Sequence, residues 1–174
     1  MIDDANNLRA SYGHDVECVW LVFDAARTMQ IPLATLRSWA VSVVDYSMLH
    51  GYDDQHGGFF YSGPVGQLAT DHHKEWWVQS EGLVSMLEMY RLTGDERYYQ
   101  AFSGTLRFVA EYQVAPGTDG WWAARNADGA PHANRSRTSA WQGGYHNGRA
   151  LLLCSQMLDE LADSCEEVAV DSPR

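Results

Sequence analysis

Lys74-Glu75-Trp76-Trp77-Val78-Gln79-Ser80-Glu81 opens the third of five helical segments, and comparable stretches open two others. The first helix begins Gly13-His14-Asp15-Val16-Glu17, and the fifth begins Gly144-Tyr145-His146-Asn147-Gly148-Arg149. The three starts recur at nearly even intervals. A helical hairpin followed by a long loop is therefore repeating.

Working outward, the first helix is expected from about His14 to Thr28. It is apolar almost all round from Val16 to Phe23, so burial on several sides is expected. The second starts at Pro32, a favoured first-turn residue, and runs to about His50. Leu33, Leu36, Ala40 and Val43 line one face, and Thr35, Arg37, Ser42 and Asp45 the other. The third spans about Lys74 to Leu92. Thr93-Gly94-Asp95 then supplies a stop and a fresh N-cap for the fourth, whose stripe is Phe102, Leu106 and Val109. The fifth spans about His146 to Asp163, and mid-helix Trp20 and Trp39 read as core. Buried odd helices and amphipathic even ones describe an inner and an outer ring, an all-α fold that is an α/α toroid or part of one.

The links divide into two kinds. Helix one to two and three to four turn within a few residues, as packed antiparallel pairs do. Helix two to three and four to five exceed the ~12–15 residues beyond which structureless loops are uncommon and usually functional. Both long links carry signals for short β-hairpins: Gly57-Gly58-Phe59-Phe60-Tyr61 in one, and in the other Gly120-Trp121-Trp122-Ala123 ahead of Asn126-Ala127-Asp128-Gly129. An up-down arrangement brings both long loops to the end where helices one, three and five begin.

Composition narrows the function classes. The 174 residues are one domain at most, and 45% hydrophobic with 20% charged residues is a globular balance. A net charge of −11 with no basic stripe argues against nucleic acid. No apolar run approaches a membrane span, and residues 1–10 are too polar for a signal peptide. Cys18, Cys154 and Cys165 form no CxxC pair and read as reduced thiols of a cytoplasmic protein. Asn134-Arg135-Ser136 matches the glycosylation pattern, read as chance without a signal peptide.

The chemistry concentrates at the helix starts. His14 and His146 are expected to face each other across a pocket, and a facing imidazole pair suits proton transfer on both sides of one carbon. Alone, either would read as a capping or loop residue. Glu17 lies one turn from His14, close enough to orient it. Trp77, with Trp76 and Trp141, offers flat apolar faces on which sugars stack. Gln79, Glu81 and Asn147 read equally as hydroxyl partners or as helix-end partners. His72 and His73, with His56 and Asp71, are the rival metal cluster. They match no ligand framework, and no metal is expected. There is no Gly-rich phosphate loop and no nucleophile elbow.

Ser11-Tyr12-Gly13-His14-Asp15-Val16-Glu17, Lys74-Glu75-Trp76-Trp77-Val78-Gln79-Ser80-Glu81 and Tyr145-His146-Asn147-Gly148-Arg149, in that order, resemble the N-acylglucosamine 2-epimerase superfamily, nearest to its cellobiose and mannose 2-epimerase branches. The resemblance implies a partial (α/α)6 barrel over residues 1–165, five helices of twelve from the C-terminal part, with an acidic, frayed tail at 166–174. It implies cofactor-free inversion at C2 of a free mono- or disaccharide through an enediol. His14 and His146 would be the acid/base pair, Glu17 a supporting carboxylate, and Trp77 and Trp141 the stacking faces. The family's substrate-binding arginine and its third active-site histidine have no counterpart in this chain. Trp141-Gln142-Gly143-Gly144-Tyr145 is looser than the family's Cys-Pro-containing version. Helices one, three and five are then expected to expose apolar flanks, to be covered by the rest of the barrel or by self-association. Two other readings stay open. One is an α/α-barrel glycoside hydrolase using Glu17 with Glu81 or Asp71; the other is a non-catalytic sugar-binding module.

Overall fold

A computed structural model describes residues 8–117, 120–133, 138 and 140–170, with side chains as far as 164. The Asn134-Arg135-Ser136 pattern and residues 171–174 lie outside them. The elements, in order, are β1 (Arg9–Ser11), α1 (Tyr12–Thr28), a 3-10 turn (Leu33–Leu36), α2 (Arg37–Gly51), β2 (Ser62–Pro64), β3 (Lys74–Glu75), α3 (Trp76–Thr93), α4 (Glu96–Phe108) with a π-turn (Val109–Gln113), β4 (Ala124–Arg125) and α5 (Tyr145–Val170). Helix α3 packs on α1, α4 and α5, and α2 packs on α1. The inner layer is therefore α1–α3–α5 with α3 in the middle, and α2 and α4 lie outside it. This is part of an (α/α)6 barrel.

Burial follows that position. Every residue of α3 from Val78 to Met89 is buried. It ends at Gly94 in the left-handed region at φ 70, and Asp95 caps α4 by accepting from the Arg97 N–H, as Thr93-Gly94-Asp95 predicts. The flanking inner helices are less covered. Leu21 on α1 is 41% exposed, and Leu151 and Leu152 on α5 are 46% and 61% exposed. The apolar flanks thus fall on α1 and α5, not on α3.

Several expectations are corrected. Lys74 and Glu75 form a strand, not the first turn of α3, because they pair antiparallel with Arg125 and Ala124. Of Gly57–Tyr61, only Phe59 pairs, in a single antiparallel bridge to Tyr52. Asp53 and Gly58 close a tight turn there, and the strand comes later, Ser62–Pro64 pairing with Arg9–Ser11. In the second long loop, Asn126–Ala130 does form the expected tight turn. Leu106 and Trp39 are exposed, whereas Trp20 is buried. The inward face of α4 is instead Tyr98, Ala101, Phe102, Thr105 and Phe108. Helix α5 continues past Asp163 to Val170. Among the described residues no helix is long and apolar enough to cross a membrane.

Candidate active site

The three helix starts meet. His14, Glu17, Trp76, Trp77, Trp141 and His146 line one cleft of about 300 Å³, together with Tyr61 and Glu75. A somewhat larger cavity of about 370 Å³, between the end of α2 and α4, shares no residue with it and holds no facing pair of acid/base groups from separate inner helices.

Each position has a local cause. Pairing of β1 with β2 fixes the entry of α1, so Ser11, the last strand residue, sits just ahead of His14 and places its Oγ 2.6 Å from His14 Nδ1. Pairing of β3 with β4 aims the start of α3, and Trp77 follows one residue into the helix. Its indole lies between the two histidines, with ring centroids 4.8 Å from His14 and 5.8 Å from His146. Gly13 permits this. A Cβ there would stand 2.6 Å from the Trp77 ring, inside any real contact.

Behind His146 lies a buried carboxylate. Glu81 has no exposed side-chain surface. One oxygen accepts from Trp20 Nε1–H at 2.7 Å; the other accepts from Arg149 Nη2 at 2.7 Å and lies 2.5 Å from His146 Nδ1. Donation of Nδ1–H to a carboxylate leaves the lone pair of a neutral imidazole on Nε2. Glu81 therefore supports a histidine from behind and is out of reach of a sugar hydroxyl, contrary to its expected role as a binding group. Asn147 is not on the cleft lining, and its Oδ1 is buried without a partner among the described residues.

Glu17 does not bond His14. Its carboxylate lies 3.7 Å from Arg149, and burial, then the charge of Glu81, pushes its pKa up, against the pull of His146 and Arg149. Ligand atoms of Glu17, Glu81 and His146 lie within 4.8 Å of one another, close enough to share an ion. The guanidinium of Arg149 already supplies a cation to both carboxylates. Trp76 is only 4% exposed and forms a wall, whereas Trp141 stands at the rim 87% exposed. Among the loop histidines, His73 is held by Asp71 and Glu75, and His56 by Asp53.

Sequence reasoning missed Arg149, Lys74 and Tyr61, and read Gln79 as a hydroxyl or helix-end partner where it holds a loop. Arg149 sits one turn after His146, a spacing that could have flagged it. Gln79 clamps the loop by accepting from Phe59 N–H and donating to Phe59 O, both at 2.8 Å. Fully buried Lys74 donates to Asp53 Oδ2 (2.8 Å), Gly57 O (2.6 Å) and Ala127 O (2.9 Å), with Phe108 beneath it at 4.0 Å. Tyr61 reaches the cleft from the first long loop. Lys74 and Tyr61 act through loop partners far away in sequence, so no local signal marks them.

Known proteins resemble this chain in sequence and in fold. Cellobiose 2-epimerase of Bacteroides fragilis is 29% identical over 153 residues, covering 86% of this chain and 38% of that protein. The N-acylglucosamine 2-epimerase of Bos taurus is 28% identical, covering 86% and 36%. The solved cellobiose 2-epimerase of Spirochaeta thermophila superposes with TM-score 0.71 at 25% identity, covering 88% of this chain and 39% of that one. A D-mannose isomerase structure shares the fold at TM-score 0.74 and 21% identity, covering 87% and 37%. The chain spans well under half the length of these relatives. The family model for N-acylglucosamine 2-epimerase matches residues 4–149, and the chain belongs to that family.

Proposed function

We propose that this chain carries the proton-transfer face of a sugar 2-epimerase, acting on a free reducing mono- or disaccharide of the mannose or cellobiose type. In the ring-opened sugar, the C2 proton lies beside the C1 carbonyl. A base removes it, the C–H pair becomes the C1–C2 double bond as the carbonyl π pair moves onto O1, and when that pair returns to re-form C1=O an acid delivers a proton to the other face of C2. His146 is the first such group, with Nδ1–H anchored on Glu81 and Nε2 left as acceptor. His14, held by Ser11, is its counterpart on α1. Trp77 stacks on the sugar between them, Trp141 covers it from the rim, and Glu17 acts through Arg149 and Glu81. Acids and bases of this kind need no cofactor, and each is worth ~10²–10⁴-fold.

The carrying observation is a single indole flanked by two histidines from separate inner helices in one cleft. It disfavours a glycoside hydrolase, which needs two carboxylates flanking a scissile bond. Glu81 is sealed behind His146, and Asp71 is bonded to His73. The exposure of Trp141 favours a second reading, a binding site without turnover. Incubation with mannose, and separately with cellobiose, in D₂O separates the two. The proposed activity exchanges the C2 proton and loses that exchange in His146→Asn. Binding without exchange by the folded chain identifies the non-catalytic module.

A further inference from the structure

Strand β3 and the residue before it alternate sides, as consecutive strand residues must. Lys74 points beneath the loops, while His73 and Glu75 share the opposite side, where Glu75 lines the cleft. His73 is buried, with 8% of its side chain exposed. Its Nδ1 lies 2.5 Å from Asp71 Oδ1 and its Nε2 lies 3.2 Å from Glu75 Oε1. An ionised carboxylate only accepts hydrogen bonds. Both contacts are satisfied together when both ring nitrogens carry hydrogen, that is, when the ring is an imidazolium.

The ring also has a face. Tyr61 stacks on it, with centroids 4.6 Å apart and an interplanar angle of 28°, and meets Trp77 edge-on at 6.4 Å. Tyr61 and Glu75 thus stand as one wall of the cleft, and His73 is the contact common to both. The titratable groups that face His73 are Asp71, Glu75, Tyr61 and His132, whose ring lies 5.3 Å away across the second long loop.

We infer that His73 is a positioning residue which, as an imidazolium bridging Asp71 and Glu75, holds Tyr61 and Glu75 as the sugar-binding wall of the cleft, so that sugar affinity follows its charge. The inference rests on the sugar-binding reading above. Burial opposes charge on His73, but the bonds from Glu75 and Asp71 outweigh it and raise its pKa above the ordinary histidine value. The wall is therefore intact below the raised His73 pKa and loosens as pH rises through it.

Mannose affinity, read by tryptophan fluorescence, is measured across pH on the full chain and on His73→Gln. His73 protonation is followed alongside by ¹⁵N NMR in the wild type. The expected result is a Kd that weakens roughly three- to tenfold as His73 deprotonates, the range a lost hydrogen bond gives, and a variant profile that lacks this transition. The same pH profile in both proteins overturns the inference. So does a wild-type Kd that moves at a different pH from the His73 ring, which serves as the test if His73→Gln does not fold. Absence of mannose binding at every pH overturns it as well. C2 exchange is scored separately. Exchange with an unaltered affinity profile removes the inference and leaves the proton-transfer reading. His73-dependent binding without exchange does the reverse.

Discussion

At the residue scale the central device is the Glu81–His146 pair. Replacing Glu81 with Gln keeps the volume but lets the amide donate to Nδ1, which moves the imidazole hydrogen to Nε2, the wrong tautomer for a base. C2 exchange is expected to fall ~10²-fold or more in Glu81→Gln, with partial retention in Glu81→Asp. An unchanged exchange rate in Glu81→Gln would remove Glu81 from the account. Gly13 gives a second prediction. In Gly13→Ala the new methyl meets the Trp77 ring, so Trp77 must leave its place between the histidines. Sugar-dependent quenching of tryptophan fluorescence should weaken severalfold while the cooperative melt survives. The histidines and tryptophans were legible in the sequence because they stand at helix starts of matched spacing. The roles of Glu81 and Glu17 were not, since burial decides which carboxylate stands behind an imidazole, and a helix register alone leaves Glu17 and Glu81 equivalent.

At the element scale, helix limits were legible to within a few residues wherever a stop or cap marks them, as Gly94 and Asp95 do. The two strand pairs were not. Strands of two or three residues show no alternation, and their partners lie on the far side of a helix or a loop. Leu106 and Trp39 misread for a related reason, because an apolar position on an outer helix is buried only where another element covers it. Lys74 joins the two long loops, and its substitution tests that junction. Lys74→Met leaves Asp53 buried without its cation and is expected to cost about 3–5 kcal/mol in denaturant unfolding, much of it recovered in the Lys74→Met, Asp53→Asn double variant. The pH dependence follows. Burial pushes the Asp53 carboxyl up, but Lys74 and the N–H groups of His56 and Gln55 outweigh it and hold its pKa below the ordinary range. Burial also works against the charge on Lys74 itself. The Asp53 contribution is complete above the ordinary carboxylate pKa of ~3.9 and is lost as pH falls through the lower folded value. The melting advantage of the wild type over Asp53→Asn should therefore shrink in acid; an advantage that persists at low pH contradicts it.

At the scale of the whole molecule, the half-ring leaves its inner layer open at both ends. Leu21 on one edge and Leu151 and Leu152 on the other present apolar surface that a complete inner ring would bury. Concentration-dependent association in sedimentation is expected, reduced in the Leu21→Lys, Leu152→Lys double variant. A monomer at all concentrations with a cooperative melt would show that the edges need no cover. The most direct test of the account as a whole uses mannose in D₂O, with the C2 signal followed by NMR in wild type, His14→Asn and His146→Asn. The account predicts deuterium at C2 with the wild type and a loss of ~10²-fold or more in each variant. Exchange that survives both substitutions in folded protein would contradict it.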